Sequence, residues 1–160
     1  MNKPSHIDAD GRVSMVDVSA KAPTLRTARA LARVRMPDSA QAALRELSLA
    51  KGDALVTAQL AGIMAAKQTA TLIPLAHPLP LASVNVEISW DSDGALRIEA
   101  HARTSAQTGV EMEAMVAAAV AALTIYDMAK SLDKGIVIEE VRLLEKTGGK
   151  SGDWRPRHES

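Results

Sequence analysis

Between Ala28 and Met36 apolar and basic side chains alternate, Ala30, Ala32, Val34 and Met36 against Arg29, Arg33 and Arg35. A period of two predicts a strand with one basic face, although so much alanine leaves helix open. Pro37, Asp38 and Ser39 then supply helix-start chemistry ahead of AQAALREL. Lys51-Gly52-Asp53 breaks that helix, and Asp53 can cap the next, a nearly all-apolar run over 54–71 that Pro74 ends. LIPLAHPLPL, with Pro74, Pro78 and Pro80, is predicted to be a stiff, extended connector. SVNVEISW alternates as a strand, Asp91-Ser92-Asp93-Gly94 turns the chain, and LRIEAHART returns as the hairpin partner. Residues 110–133 form one long helix ended by Lys134-Gly135, and IVIEEVRLL forms the last strand.

In order, this is strand, helix pair, strand, strand, helix, strand. The pattern predicts an α+β fold of β-α-β-β-α-β type, an antiparallel sheet with helices on one face. Residues 1–14 are polar and unpatterned and are expected to be a flexible arm. Residues 15–153 are expected to form a single catalytic domain. KTGGKSGDWRPRHES closes the chain as a mobile stretch, with 154–160 as a flexible tail. No internal repeat is visible.

Composition narrows the functional classes. A chain of 160 residues can bury a core as one domain without disulfides. Nineteen basic and nineteen acidic side chains cancel, so no global field draws the chain to nucleic acid or anionic lipid. With no cysteine, thiolate metal sites, disulfides and a cysteine nucleophile are excluded, and reducing cytosol is acceptable. The N-terminus lacks the apolar core of a signal peptide, and the stretch from Met115 to Met128 looks too short and too polar for a membrane span. A soluble cytoplasmic protein is expected. The only aromatics are Trp90, Tyr126 and Trp154, so alanine and aliphatic residues must build the core.

Four places could carry chemistry. His77 sits among leucines in the proline-rich connector, either as an incidental packed histidine or as an imidazole aimed at a ligand. Glu111 and Glu113 open the long helix, as ordinary first-turn acids or as carboxylates gripping the N–H groups of a guanine-like base. Asp127 and Lys130 are three apart and share a helix face. Because Asp127 follows a dozen mostly apolar residues, burial, a shifted pKa and an acid–base role are expected of it. Lys51-Gly52-Asp53 and the stretch from Lys146 to Asp153, with Lys150, join lysines to glycines that let backbone approach phosphate. Neither is a P-loop, and on spacing alone a solvated tail is the blander account. Glu113 and Asp127 stand about 21 Å apart on a straight helix, so one substrate touches both only if it is long, if the helix begins later, or if a second subunit supplies one of them. The shared site, in an obligate oligomer, is the preferred account.

MVDVSAK (Met15–Lys21), KGD (Lys51–Asp53), AGIMAAK (Ala61–Lys67), LIPLAHPL (Leu72–Leu79), TGVEMEA (Thr108–Ala114), AALTIYDMAK (Ala121–Lys130) and GGKSGD (Gly148–Asp153) occur in one order. Over this span the chain resembles the cyclic pyranopterin monophosphate synthases, the molybdenum cofactor biosynthesis protein C family. The resemblance implies a ferredoxin-like fold and a homohexamer, a trimer of dimers with active sites between subunits. It implies a cyclised dihydroguanosine triphosphate as substrate, made by a partner radical enzyme, and a lyase reaction that builds the pterin and expels pyrophosphate. By the same resemblance Asp127, Lys130 and Lys51 are catalytic. Leu75, Ala76, His77, Glu111, Met112 and Glu113 bind substrate, with Lys146 and Lys150 facing the triphosphate. Position 76 is Ala where the family's loop usually carries Cys. The neighbouring backbone and His77 remain, so catalysis is expected to survive. No cofactor is expected beyond magnesium arriving with the triphosphate. A non-catalytic nucleotide-binding module is the alternative, and it would not need the Asp127–Lys130 couple. An RNA-binding domain would stack bases on strand aromatics, and only Trp90 lies on a predicted strand.

Overall fold

A computed structural model describes residues 7, 10–47, 49 and 51–156. Most of the proposed N-terminal arm (1–6, 8 and 9) and positions 157–160 of the tail lie outside the described residues. The elements are β1 (Thr24–Arg35), α1 (Asp38–Arg45), α2 (Ala54–Ala66), α3 (Thr69–Leu72), β2 (Leu81–Trp90), β3 (Leu96–Ala106), α4 (Glu111–Ala129) and β4 (Val137–Thr147). The four strands pair antiparallel in the order β2-β3-β1-β4, the ferredoxin-like arrangement expected from the element order.

The alternation in β1 separates two environments. Ala28, Ala30, Ala32 and Val34 are buried in one core with Ala114, Ala117, Ala118, Ala121 and Ile125 of α4. Small side chains on both surfaces bring helix and sheet close. Gly62 does the same between helices, because a Cβ there would stand 2.8 Å from the Ala117 carbonyl oxygen. The opposite face carries an ion-pair lattice. Arg29 bridges Glu99 at 2.8 Å and Glu145 at 3.4 Å, and Arg33 reaches Asp91, Asp93 and Glu139. Arg33 first, and Arg35 beside it, hold the Asp93 carboxyl below the usual carboxylate range.

Boundaries moved where side chains compete with the backbone ladder. The run 54–71 is two helices, since the Thr69 hydroxyl donates to the Ala66 carbonyl at 2.9 Å and the chain turns at Lys67-Gln68. Asp53 caps α2 as expected, accepting from the amides of Leu55 and Val56. The long helix stops at Ala129, short of residue 133. Beyond it Asp133 accepts the Gly135 amide at 2.6 Å in a local turn. At 19 residues α4 is long and apolar enough to cross a membrane, contrary to the sequence expectation, but 56% of its apolar window is buried against protein. Past Thr147 the chain folds back, and Lys146 and Trp154 exchange backbone hydrogen bonds of 3.0 and 2.9 Å.

Candidate active site

The N-terminal end of α4 opens into two adjoining hollows. The larger, about 490 Å³, is walled by Leu75, Ala76 and His77 of the connector, by Glu111, Met112 and Glu113 of α4, and by Val16 and Val18. The smaller, about 320 Å³, is lined by Lys21, Arg26, Lys146 and Lys150 with Glu111 and Ser151. Lys21, Thr108, Gly109 and Glu111 border both, so the two form one groove, mostly apolar at one end and cationic at the other.

Each wall has a local cause. Three prolines keep the connector out of helical backbone. The ring Nε2–H of His77 donates to the Val16 carbonyl at 2.7 Å, which leaves Nδ1 as the acceptor of a neutral ring. Gly109 has no Cβ, and one there would collide with the Glu111 carboxylate. That carboxylate faces the Lys146 ammonium at 3.4 Å, and Lys146 also donates to Ser151 at 2.7 Å. Gly148 and Gly149 take φ of +84° and +80° against β1, where side chains would meet the Leu25 carbonyl and the Arg26 guanidinium. Arg26 is itself fixed, donating to the carbonyls of Ala106 and Gln107 at 2.9 and 3.1 Å.

Glu113 is the one charged side chain buried among the described residues, at 3% exposure. Desolvation pushes its carboxyl up to about 6; a hydrogen bond from its own backbone opposes this, and the Glu111 charge adds to it. An ordinary first-turn acid would be solvated, so burial separates Glu113 from that account.

Asp127, Lys130 and Lys51 gather at the other end of α4. Lys130 stands 2.6 Å and Lys51 3.1 Å from the Asp127 carboxylate, and Lys51 also donates to the Asp127 carbonyl at 2.7 Å. The expected burial of Asp127 is not found: its side chain is 57% exposed. Helix phase explains this, since Ile125, Met128 and Ala129 take the inner positions while Leu123, Asp127 and Lys130 share an outer stripe. Its carboxyl is held below the usual range, by Lys130 first and Lys51 second, and Lys130 is raised in turn. Asp127 and Lys130 meet as expected, but Lys51, expected with the phosphate-facing lysines, joins them instead. All three lie outside the groove, with a helix length of about 21 Å between Asp127 and Glu113.

Sequence reasoning gave no role to Lys21, Arg26, Val16 or Val18. Lys21 and the valines lie in MVDVSAK, which carried a resemblance but no chemical pattern. Arg26 had no signal, because only folding brings the start of β1 to the glycine-rich segment.

The fold and groove define an α+β, ferredoxin-like protein with one groove, mostly apolar at one end and cationic at the other. The chain belongs to the MoaC family, whose model matches residues 15–149. It is 56% identical to a cyclic pyranopterin monophosphate synthase of Nostoc sp. over 95% of this chain and 91% of that one. Proteins of the same name from Bacillus velezensis and Trichodesmium erythraeum are 50% and 55% identical, over 97% and 94% of this chain and 93% and 91% of theirs.

Proposed function

We propose that the protein is a cyclic pyranopterin monophosphate synthase of molybdenum cofactor biosynthesis. This lyase converts (8S)-3',8-cyclo-7,8-dihydroguanosine 5'-triphosphate to cyclic pyranopterin monophosphate and pyrophosphate. The observation that carries the reading is the groove's polarity. Two carboxylates line its larger hollow, which suits acceptors for the N–H groups of a guanine-like ring, and four cations line the smaller, which suits a triphosphate. The relatives of that name support it across nearly the full length of both chains.

Glu113, with Glu111 and Met112, takes the base beside Leu75, Ala76 and His77. Lys146, Lys150, Lys21 and Arg26 take the phosphates and stabilise the charge that accumulates as pyrophosphate leaves. Opening the imidazole ring and closing the pterin require proton transfers, which Asp127 and Lys130 supply with Lys51 beside them. In the lone chain this trio is exposed, with Asp127 ion-paired to both lysines. The reaction therefore uses it covered, facing the groove of a second subunit.

Val56, Leu60 and Met64, at spacings of four on α2, and Leu123, one turn before Asp127, are all more than half exposed. They offer an apolar surface for that second copy. The assembly proposed is a homohexamer, a trimer of dimers, fed by the radical enzyme that makes its substrate, in the cytoplasm. Any magnesium arrives with the triphosphate, and no residue of the chain is assigned to it.

The test is turnover of the cyclised triphosphate by wild type and Asp127→Asn, following pyrophosphate and oxidisable pterin together. Product from wild type, with a loss of at least about a hundredfold in the variant, is expected for a lost proton-transfer group. Tight binding without turnover by the wild type would leave a nucleotide-binding module.

A further inference from the structure

Residues 15–21 form part of the groove without belonging to the core. No helix or strand forms between Ser14 and Pro23. Val16 and Val18 line the larger hollow, yet neither joins the buried cluster that unites sheet and helices. The segment makes its own compact turn, with the Ser19 amide on the Asp17 carboxylate at 2.9 Å and the Lys21 amide on the Val18 carbonyl at 2.9 Å. Such a piece can dock and undock as a unit. Its docking carries Lys21 to the border of both hollows.

Among the described residues, the hydrogen bond that ties this segment to the body is the one from His77 to the Val16 carbonyl. The donor is well founded, because Pro78 directly follows His77 and holds its backbone in extended conformations. Neutral or protonated, Nε2 keeps its hydrogen, so the contact does not depend on the charge of the ring.

We propose that His77 is the latch of a strap: its imidazole holds residues 15–21 down as one wall of the groove, which makes it a positioning residue acting through Val16. This goes beyond the proposed reaction, since it holds for any ligand the groove takes.

Native-state trypsin digestion tests it without substrate, by the rate at which the chain is cut after Lys21 to yield a fragment beginning at Ala22. A protease needs the strap released as an extended stretch, so the rate reports the undocked population. His77→Ala is expected to speed this cut roughly fivefold to tenfold, the effect of one hydrogen bond on a local equilibrium, with the midpoint of thermal unfolding unchanged. His77→Gln keeps a side-chain N–H while removing the imidazole, and is expected to bring the rate back toward wild type. Equal rates in all three proteins would overturn the proposal, as would a glutamine variant cut as fast as the alanine one. A fall in the thermal midpoint that tracks the faster cutting would also overturn it, by making His77 a support of the whole fold.

Discussion

Glu113 concentrates the tension between stability and binding in one side chain. Its carboxyl titrates near 6 in the folded chain against an ordinary 4.5. Folding therefore takes up a proton between those values, and stability falls as pH rises from about 4.5 to about 6, with the full burial penalty above that window. Glu113→Gln is expected to stabilise the protein at pH 7 and above by on the order of 1–2 kcal/mol. The gain should vanish below about pH 4, where the native carboxyl is already neutral. Urea unfolding of both proteins across pH checks this, and a gain independent of pH would assign it to packing. Leu47 is a second strained position, with φ of +52° just past the end of α1 and its side chain 55% exposed. Left-handed backbone suits Asn or Gly there, so Leu47→Asn is expected to add about 0.5–1 kcal/mol. A lowered thermal midpoint would show that the leucine side chain contributes more than its backbone costs.

Between elements, α2 lies close against α4 at Gly62. Elsewhere in a helix, Gly→Ala gains up to about 1 kcal/mol of propensity. At Gly62 the added methyl meets the Ala117 backbone carbonyl, with Val86 and Ala121 behind it, so neither helix can yield by turning a side chain. Gly62→Ala is expected to cost a net 1–2 kcal/mol or so, from overpacking larger than the propensity gain, read as an earlier urea midpoint. A later midpoint would mean that the helices separate freely. Spacing made most of this element order legible: the strand phases, the hairpin turn and the Asp53 cap all follow local rules. The break at Lys67-Gln68 did not show, because the apolar pattern runs through it. Only the buried hydroxyl of Thr69 marks where helix gives way.

The whole molecule holds its two candidate chemical groups at opposite ends of one helix. If a second subunit unites them, a chain lacking Glu113 and a chain lacking Asp127 should complement each other. Asp127→Asn and Glu113→Gln, each inactive alone, are expected to regain about a quarter of wild-type activity when refolded together in equal amounts, because half the random pairs hold one intact site of two. A mixture as inactive as its components would place each complete site within one chain. The lattice of arginines and carboxylates on the open sheet face explains how a formally neutral chain keeps so many charges there while Lys21, Arg26, Lys146 and Lys150 line the groove.

What the sequence determined by itself was local: alternation, caps, turn residues and motif order, enough for a β-α-β-β-α-β sheet with helices on one face and for a family resemblance. Side-chain identity also singled out His77, Glu113 and Asp127. Their environments came only from tertiary structure, since burial depends on what lies across a helix and not along it. Asp127 follows a dozen mostly apolar residues and Glu113 a polar stretch, yet helix phase exposes Asp127 and buries Glu113. The same reason hid Arg26 and the strap, whose places in the groove are set by segments more than fifty residues distant.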